Sequence, residues 1–140
     1  MVRISNLDIL KILMENSRVP FLKIAKIFGV SETAVRKRVR KMEENGIIRR
    51  YTVDVDPKKI GFKVNTIIGV DTEPEYYLST IEKMKGMDEV VRLYSSSGDH
   101  MILAECWFRD SSDLNEFVKK LSGMEGVTRV CPAIIVERIK

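Results

Sequence analysis

The sequence predicts an α+β chain, with an N-terminal winged helix-turn-helix followed by a ferredoxin-like βαββαβ domain. Three observations carry this. Residues 1–50 hold three stretches of apolar residues at helical spacing, opened by Ser5, Pro20 and Ser31. Residues 63–140 alternate between strand-like and helix-like stretches in the order β-α-β-β-α-β. Charge divides at the same place: residues 1–62 carry 14 Lys and Arg against 7 Asp and Glu, whereas residues 63–140 carry 10 against 13. The basic half suits a polyanion, and the acidic half would gain little from lying on phosphate.

At 140 residues, 44% hydrophobic and 31% charged, the chain has apolar material for a core, and no long segment is purely polar. No apolar run approaches the roughly 20 residues that span a bilayer. The first fifteen residues carry Arg3, Asp8, Lys11 and Glu15 in place of a signal peptide's hydrophobic stretch, so a cytoplasmic protein with no membrane partner is expected. Cys106 and Cys131 have no companion ligands nearby, which argues against a disulfide scaffold or a structural zinc site and leaves both as core thiols. No metal or cofactor is expected, and Walker and Rossmann glycine patterns are absent.

In the first helix, capped by Ser5, Leu7, Leu10, Leu13 and Met14 share a face. Pro20 suits the first turn of a short second helix in which Leu22, Ala25 and Phe28 face the core before Gly29 ends it. Ser31 caps a third helix running to about Asn45, with Gly46 placed for a left-handed terminus. Val35, Val39 and Met42 form its buried stripe, and Thr33, Arg36, Lys37 and Arg40 project from the other side, flanked by Arg38 and Lys41. A major groove accepts one helix, and Arg and Lys can donate to guanine O6 and N7 or to phosphate. The short helix, the turn through Ser31 and the basic helix together predict a helix-turn-helix that reads double-stranded DNA. Ile47-Ile48-Arg49-Arg50-Tyr51 looks like a small β wing whose Arg49 and Arg50 meet phosphates.

In the second half, a strand is expected from Lys63 to Val70, then a helix after Pro74 whose apolar residues are Tyr77, Leu78, Ile81 and Met84. Strands follow over Val90–Ser96 and Met101–Phe108, joined by a turn at Ser97-Gly98-Asp99-His100. Ser111 or Ser112 caps a last helix with Leu114, Phe117, Val118 and Leu121, and Val127–Ile135 closes the series. Met84, Met87, Met101 and Met124 are read as packing residues, and Glu82, Glu89 and Glu105 as surface groups. Two helices cover one sheet face. Strands this apolar leave the other face needing a partner, so self-association is expected, and a homodimer suits paired DNA half-sites.

These features together resemble the Lrp/AsnC family of transcription regulators. The resemblance lies in Leu7-Asp8-Ile9-Leu10-Lys11-Ile12-Leu13, Asn16-Ser17-Arg18, Ile24-Ala25, Gly29-Val30-Ser31, Val35-Arg36-Lys37-Arg38-Val39, Met42 through Ile48, Tyr51, Ile60-Gly61, Tyr94 and Ser97-Gly98-Asp99. It implies a DNA-binding domain over residues 1–50, a β-containing hinge over 51–62, and a ferredoxin-like oligomerisation and effector-sensing domain over 63–140. It further implies dimers that assemble into tetramers or octamers, with a small amino-acid effector held near Ser97, Gly98, Asp99 and His100. The family's frequent Gly-Asp-Tyr-Asp pattern reads Gly98-Asp99-His100-Met101 here, so the second acidic position is lost. His100 is then either an ordinary turn residue or part of a modified ligand site.

Two other classes remain open at this level. An architectural protein would use the same basic face with little base discrimination. A tetrapyrrole decarboxylase, whose relatives carry an Lrp-like DNA-binding domain, needs acid-base groups that a chain with one histidine does not show. The expected function is a sequence-specific DNA-binding regulator and not an enzyme.

Overall fold

The first helical stretch becomes α1 (Asn6–Glu15) in the computed structural model, which describes residues 4–140. The first three positions of the expected 1–50 region, Arg3 among them, lie outside the described residues. Ser5 caps α1 with a reciprocal box: its Oγ accepts the Asp8 N–H at 3.1 Å, and Asp8 Oδ2 accepts the Ser5 N–H at 2.9 Å. The helix buries Ile9 and Leu13, whereas Leu7 is exposed and Met14 is 83% exposed. The expected face therefore holds at Leu10 and Leu13 and is corrected at Leu7 and Met14. Apolar residues occupy more than one side of α1, so spacing alone leaves a choice of stripes, and packing against Ile24, Val35 and Val39 selects the Ile9–Leu13 pair.

The second helix, α2 (Phe21–Phe28), buries Ile24 and Ala25 with Phe21 and Phe28 packed beside them, so the expected face holds at Ala25 and Phe28 and is corrected at Leu22, which is exposed. It ends at Gly29, whose φ of 65° is the left-handed conformation that glycine adopts without a Cβ penalty. The third helix, α3 (Glu32–Glu44), buries Val35, Val39 and Met42, the stripe its sequence predicts. Together these residues form one core cluster.

The chain divides into two compact units between Asp54 and Val55. Neither the expected wing at 47–51 nor a strand in the hinge 51–62 forms among the described residues. The Ile47 and Ile48 amides both turn back onto the Met42 carbonyl, at 2.9 and 3.1 Å, ending α3. The chain from 49 to 56 is irregular, and Pro57–Ile60 makes one tight helical turn. A strand needs an edge to pair with, and, among the described residues, 47–62 pair with no strand of the sheet.

The second unit is built on β1 (Val64–Thr72), α4 (Tyr77–Lys85), β2 (Val90–Ser95), β3 (Ile102–Phe108), α5 (Ser111–Ser122) and β4 (Val127–Ile134). The strands form one antiparallel sheet in the order β2-β3-β1-β4, the ferredoxin-like arrangement. Alternate residues Ile68 and Val70 of β1 and Ile102, Ala104, Cys106 and Phe108 of β3 meet Met84 of α4 and Leu114, Phe117 and Leu121 of α5 in one core. Met87, Met101 and Met124 pack against it.

Three details differ from expectation. Leu78 is 72% exposed, and α4 instead buries Thr80, whose hydroxyl donates to the Tyr76 carbonyl at 2.7 Å and so enters the core satisfied. Asp110, not Ser111 or Ser112, caps α5 by accepting the Asp113 N–H at 2.9 Å. Cys106 is a core thiol, its pKa pushed up to about 12 by burial and by the nearby Glu89 and Glu105 charges. Cys131 is only half-buried, because β4 places it on the sheet face away from the helices.

Candidate nucleic-acid interface

The helix-turn-helix is positioned by its punctuation. Gly29 lets the chain reverse, the Val30 amide returns to the Ala25 carbonyl at 3.0 Å, and Ser31 Oγ accepts the Ala34 N–H at 3.1 Å to open α3. Ser31 thus serves as a cap. Replacing it with Ala should cost about 1 kcal/mol in urea unfolding, read as a lower midpoint at unchanged slope.

With Val35, Val39 and Met42 buried, helical geometry turns Thr33, Lys37 and Arg40 to the opposite side and Arg36 to its flank; all four are exposed. Arg36 Nη2 bonds Glu32 Oε1 one turn earlier. Arg38 is diverted to structure: it is half-buried and its Nη1 donates to Asn6 Oδ1 of α1 at 3.1 Å. Arg49 and Arg50 are exposed on the irregular segment after α3. Beside them, burial and then the charge and hydrogen bond of Glu43 raise the Tyr51 pKa above the usual phenol value. The expected DNA residues thus divide among the cap (Ser31), the exposed face of α3 (Thr33, Arg36, Lys37, Arg40) and the exit from it (Arg49, Arg50).

In the second unit, Ser97, Gly98 and Asp99 are exposed at the tip of the β2–β3 turn, which closes through the Ser96 amide on the Met101 carbonyl at 2.9 Å. His100 is turned inward instead. Its Nδ1 pairs with Asp71 Oδ2 at 2.9 Å, and Asp71 Oδ1 accepts the Met101 N–H at 2.9 Å. Burial opposes ionisation of Asp71, but the bonds from His100 and Met101 and the charges of His100 and Arg129 outweigh it, so its pKa is lowered. Gly69 makes the arrangement feasible, because a Cβ there would lie 2.3 Å from His100 Cδ2. Sequence reasoning missed both Gly69 and Asp71, since their contact with His100 joins β1 to a distant turn. A cleft of about 500 Å³ lies elsewhere in this unit, between Phe62, Trp107 and α5, and none of Ser97, Gly98, Asp99 or His100 lines it.

Two changes test the clasp. Gly69→Ala should cost about 1–3 kcal/mol through overpacking against the imidazole, measured by urea unfolding. Because the folded Asp71 pKa is depressed, its contribution is present above the unfolded carboxyl value of about 4 and is lost as pH falls through the lower folded value. Asp71→Asn should therefore flatten the acid limb of the stability profile below about pH 4.

Two family patterns match the chain: winged helix-turn-helix DNA-binding over residues 3–49, and Lrp/AsnC ligand binding domain over residues 65–140. The chain belongs to the Lrp/AsnC family. It is 53% identical over 133 residues to the HTH-type transcriptional regulator LrpA of Pyrococcus abyssi, with 94% of each chain covered. It is 35% identical over 133 residues to LrpA1 of Halobacterium salinarum, again with 94% of each covered. The structure of E. coli AsnC superposes with a TM-score of 0.82 at 31% identity, covering 99% of this chain and 95% of AsnC. The family's members are transcription regulators, and this chain is a DNA-binding transcription regulator of the Lrp type. No described helix is long and apolar enough to cross a membrane.

Proposed function

We propose that the chain binds duplex DNA sequence-specifically as a homodimer, with α3 in the major groove and the second unit joining the copies. The observation that carries this is the division of α3 into a buried Val35–Val39–Met42 stripe and an exposed side bearing Thr33, Arg36, Lys37 and Arg40. Arg36, Lys37 and Arg40 supply donors for bases and phosphates, and Thr33 allows close approach. Ser31, Arg49 and Arg50 serve the backbone. Protection mapping of genomic DNA, then titration of the recovered duplex against a scrambled one at fixed salt, tests the reading. A partly palindromic footprint with at least about tenfold preference supports it, and equal weak binding favours an architectural role.

The dimer reading rests on the sheet face away from the helices, where alternation places Ile67, Leu103, Trp107 and Tyr94, with Ile67 42% exposed. Such a face is apolar enough to need covering. Dimers would assemble further into a tetramer or octamer, and a small amino-acid effector would bind where Ser97, Gly98, Asp99 and His100 meet a neighbouring copy. Support for an effector is the match to the family's ligand-binding domain, together with a loop exposed at its tip and anchored at its base. An effector acts by favouring one assembly over another. Light scattering and DNA titration with and without each amino acid test that step.

A further inference from the structure

We infer that Glu32 is a positioning residue for DNA readout: it holds the Arg36 guanidinium in one orientation at the edge of the recognition face. The inference rests on the reading of α3 as the recognition helix and assigns the part played by its first acidic residue. Glu32 and Arg36 lie one turn apart, with the acid N-terminal to the base, the favoured order for such a pair. Arg36 Nη2 donates to Glu32 Oε1 while the Arg36 side chain remains 52% exposed, and its guanidinium makes no other hydrogen bond among the described residues. Lys37 and Arg40, on the same side of α3, make no side-chain hydrogen bond or ion pair among the described residues.

An exposed pair of this kind adds little to stability, so its consequence lies in geometry. Arginine reads guanine through two parallel N–H groups in a fixed plane, and an untethered guanidinium must give up several torsions to present them. A carboxylate on one Nη leaves the remaining donors of the fork free and settles part of that ordering before DNA arrives. The same carboxylate is repelled by phosphate, which weakens binding wherever Arg36 finds no base to repay it. Both effects act on the ratio of specific to non-specific affinity.

The test uses the full chain, a duplex selected by the wild-type protein from a random pool, and a scrambled duplex of the same composition. Glu32→Gln should lower the preference about fivefold to tenfold, by weakening the selected duplex and strengthening the scrambled one. Glu32→Asp keeps the charge but is too short to hold Arg36, and should lose preference to a similar degree. In an Arg36→Ala background, Glu32→Gln should lower preference no further. Thermal melting of each variant verifies that the fold is intact. Equal scaling of both affinities, or full preference in Glu32→Asp, overturns the proposal, because charge alone is then at work. A further loss in the Arg36→Ala background also overturns it, because Glu32 then touches a base directly. If the wild-type chain selects no sequence from the pool, the recognition-helix reading fails first, and the inference falls with it.

Discussion

Replacing Lys37 and Arg40 together with Ala is expected to lower affinity for the selected duplex by at least about 100-fold while leaving the fold unchanged. Each side chain is exposed on the side of α3 opposite the buried stripe, so its removal opens no cavity. A good bidentate base contact is worth about 1–3 kcal/mol, and each lost phosphate contact lowers the salt slope by about 0.9. Two losses on the proposed recognition face therefore combine to a few kcal/mol. Anisotropy titrations at several salt concentrations separate the components: a shallower salt slope reports phosphate, and a loss confined to the selected duplex reports bases. Arg38→Ala is the informative contrast. Because Arg38 is tied to Asn6, that change should weaken the packing of α3 on α1 and leave the salt slope nearly unaltered. Unchanged affinity in the double variant would place the interface elsewhere.

How much of this the sequence could show depended on whether the determinants were local. The cap at Ser31, the stop at Gly29, the left-handed Gly46 and the Val35–Val39–Met42 stripe are nearest-neighbour or one-turn features, and the structure holds all four. Strand and helix order in the second unit was legible for the same reason, because period two and helical spacing each fill a whole element. The faces of α1 and α2 were read correctly at Leu10, Leu13, Ala25 and Phe28, but several apolar stripes compete there, and only packing turns Met14 and Leu22 outward. The Asp110 cap was missed because three polar residues in a row could each have opened α5, and hydrogen-bond geometry chose the first. The clasp of His100 on Asp71 was invisible because it joins residues 29 positions apart. Of the loop, sequence marked the exposed tip at Ser97, Gly98 and Asp99 but not the inward turn of His100.

Ile67→Lys should divide the proposed dimer while sparing the single chain, the second large effect expected. Residue 67 lies at the centre of β1, opposite Glu105 on β3 and Ala133 on β4, on the face the helices leave open. Ile67 is 42% exposed in the single chain, so a lysine there can keep its charge in water, while Glu105 opposite it is already held by Arg92 at 2.8 Å. Covering the face with a second copy removes that water. Each dimer then takes two ammonium groups out of solvent, each costing several kcal/mol where the partner offers no acid, and apolar contact is lost in both copies. Light scattering should read the mass of one chain, with a thermal midpoint near that of the monomeric fold. DNA binding supplies an independent check. One helix-turn-helix reaches only a few base pairs, so a monomer with an intact α3 should lose preference for a two-half-site duplex while retaining salt-dependent weak binding. If Ile67→Lys instead stays dimeric, the copies meet through another surface, and the exposed apolar chain at Tyr51, Val53 and Val55 is the next place to introduce a charge.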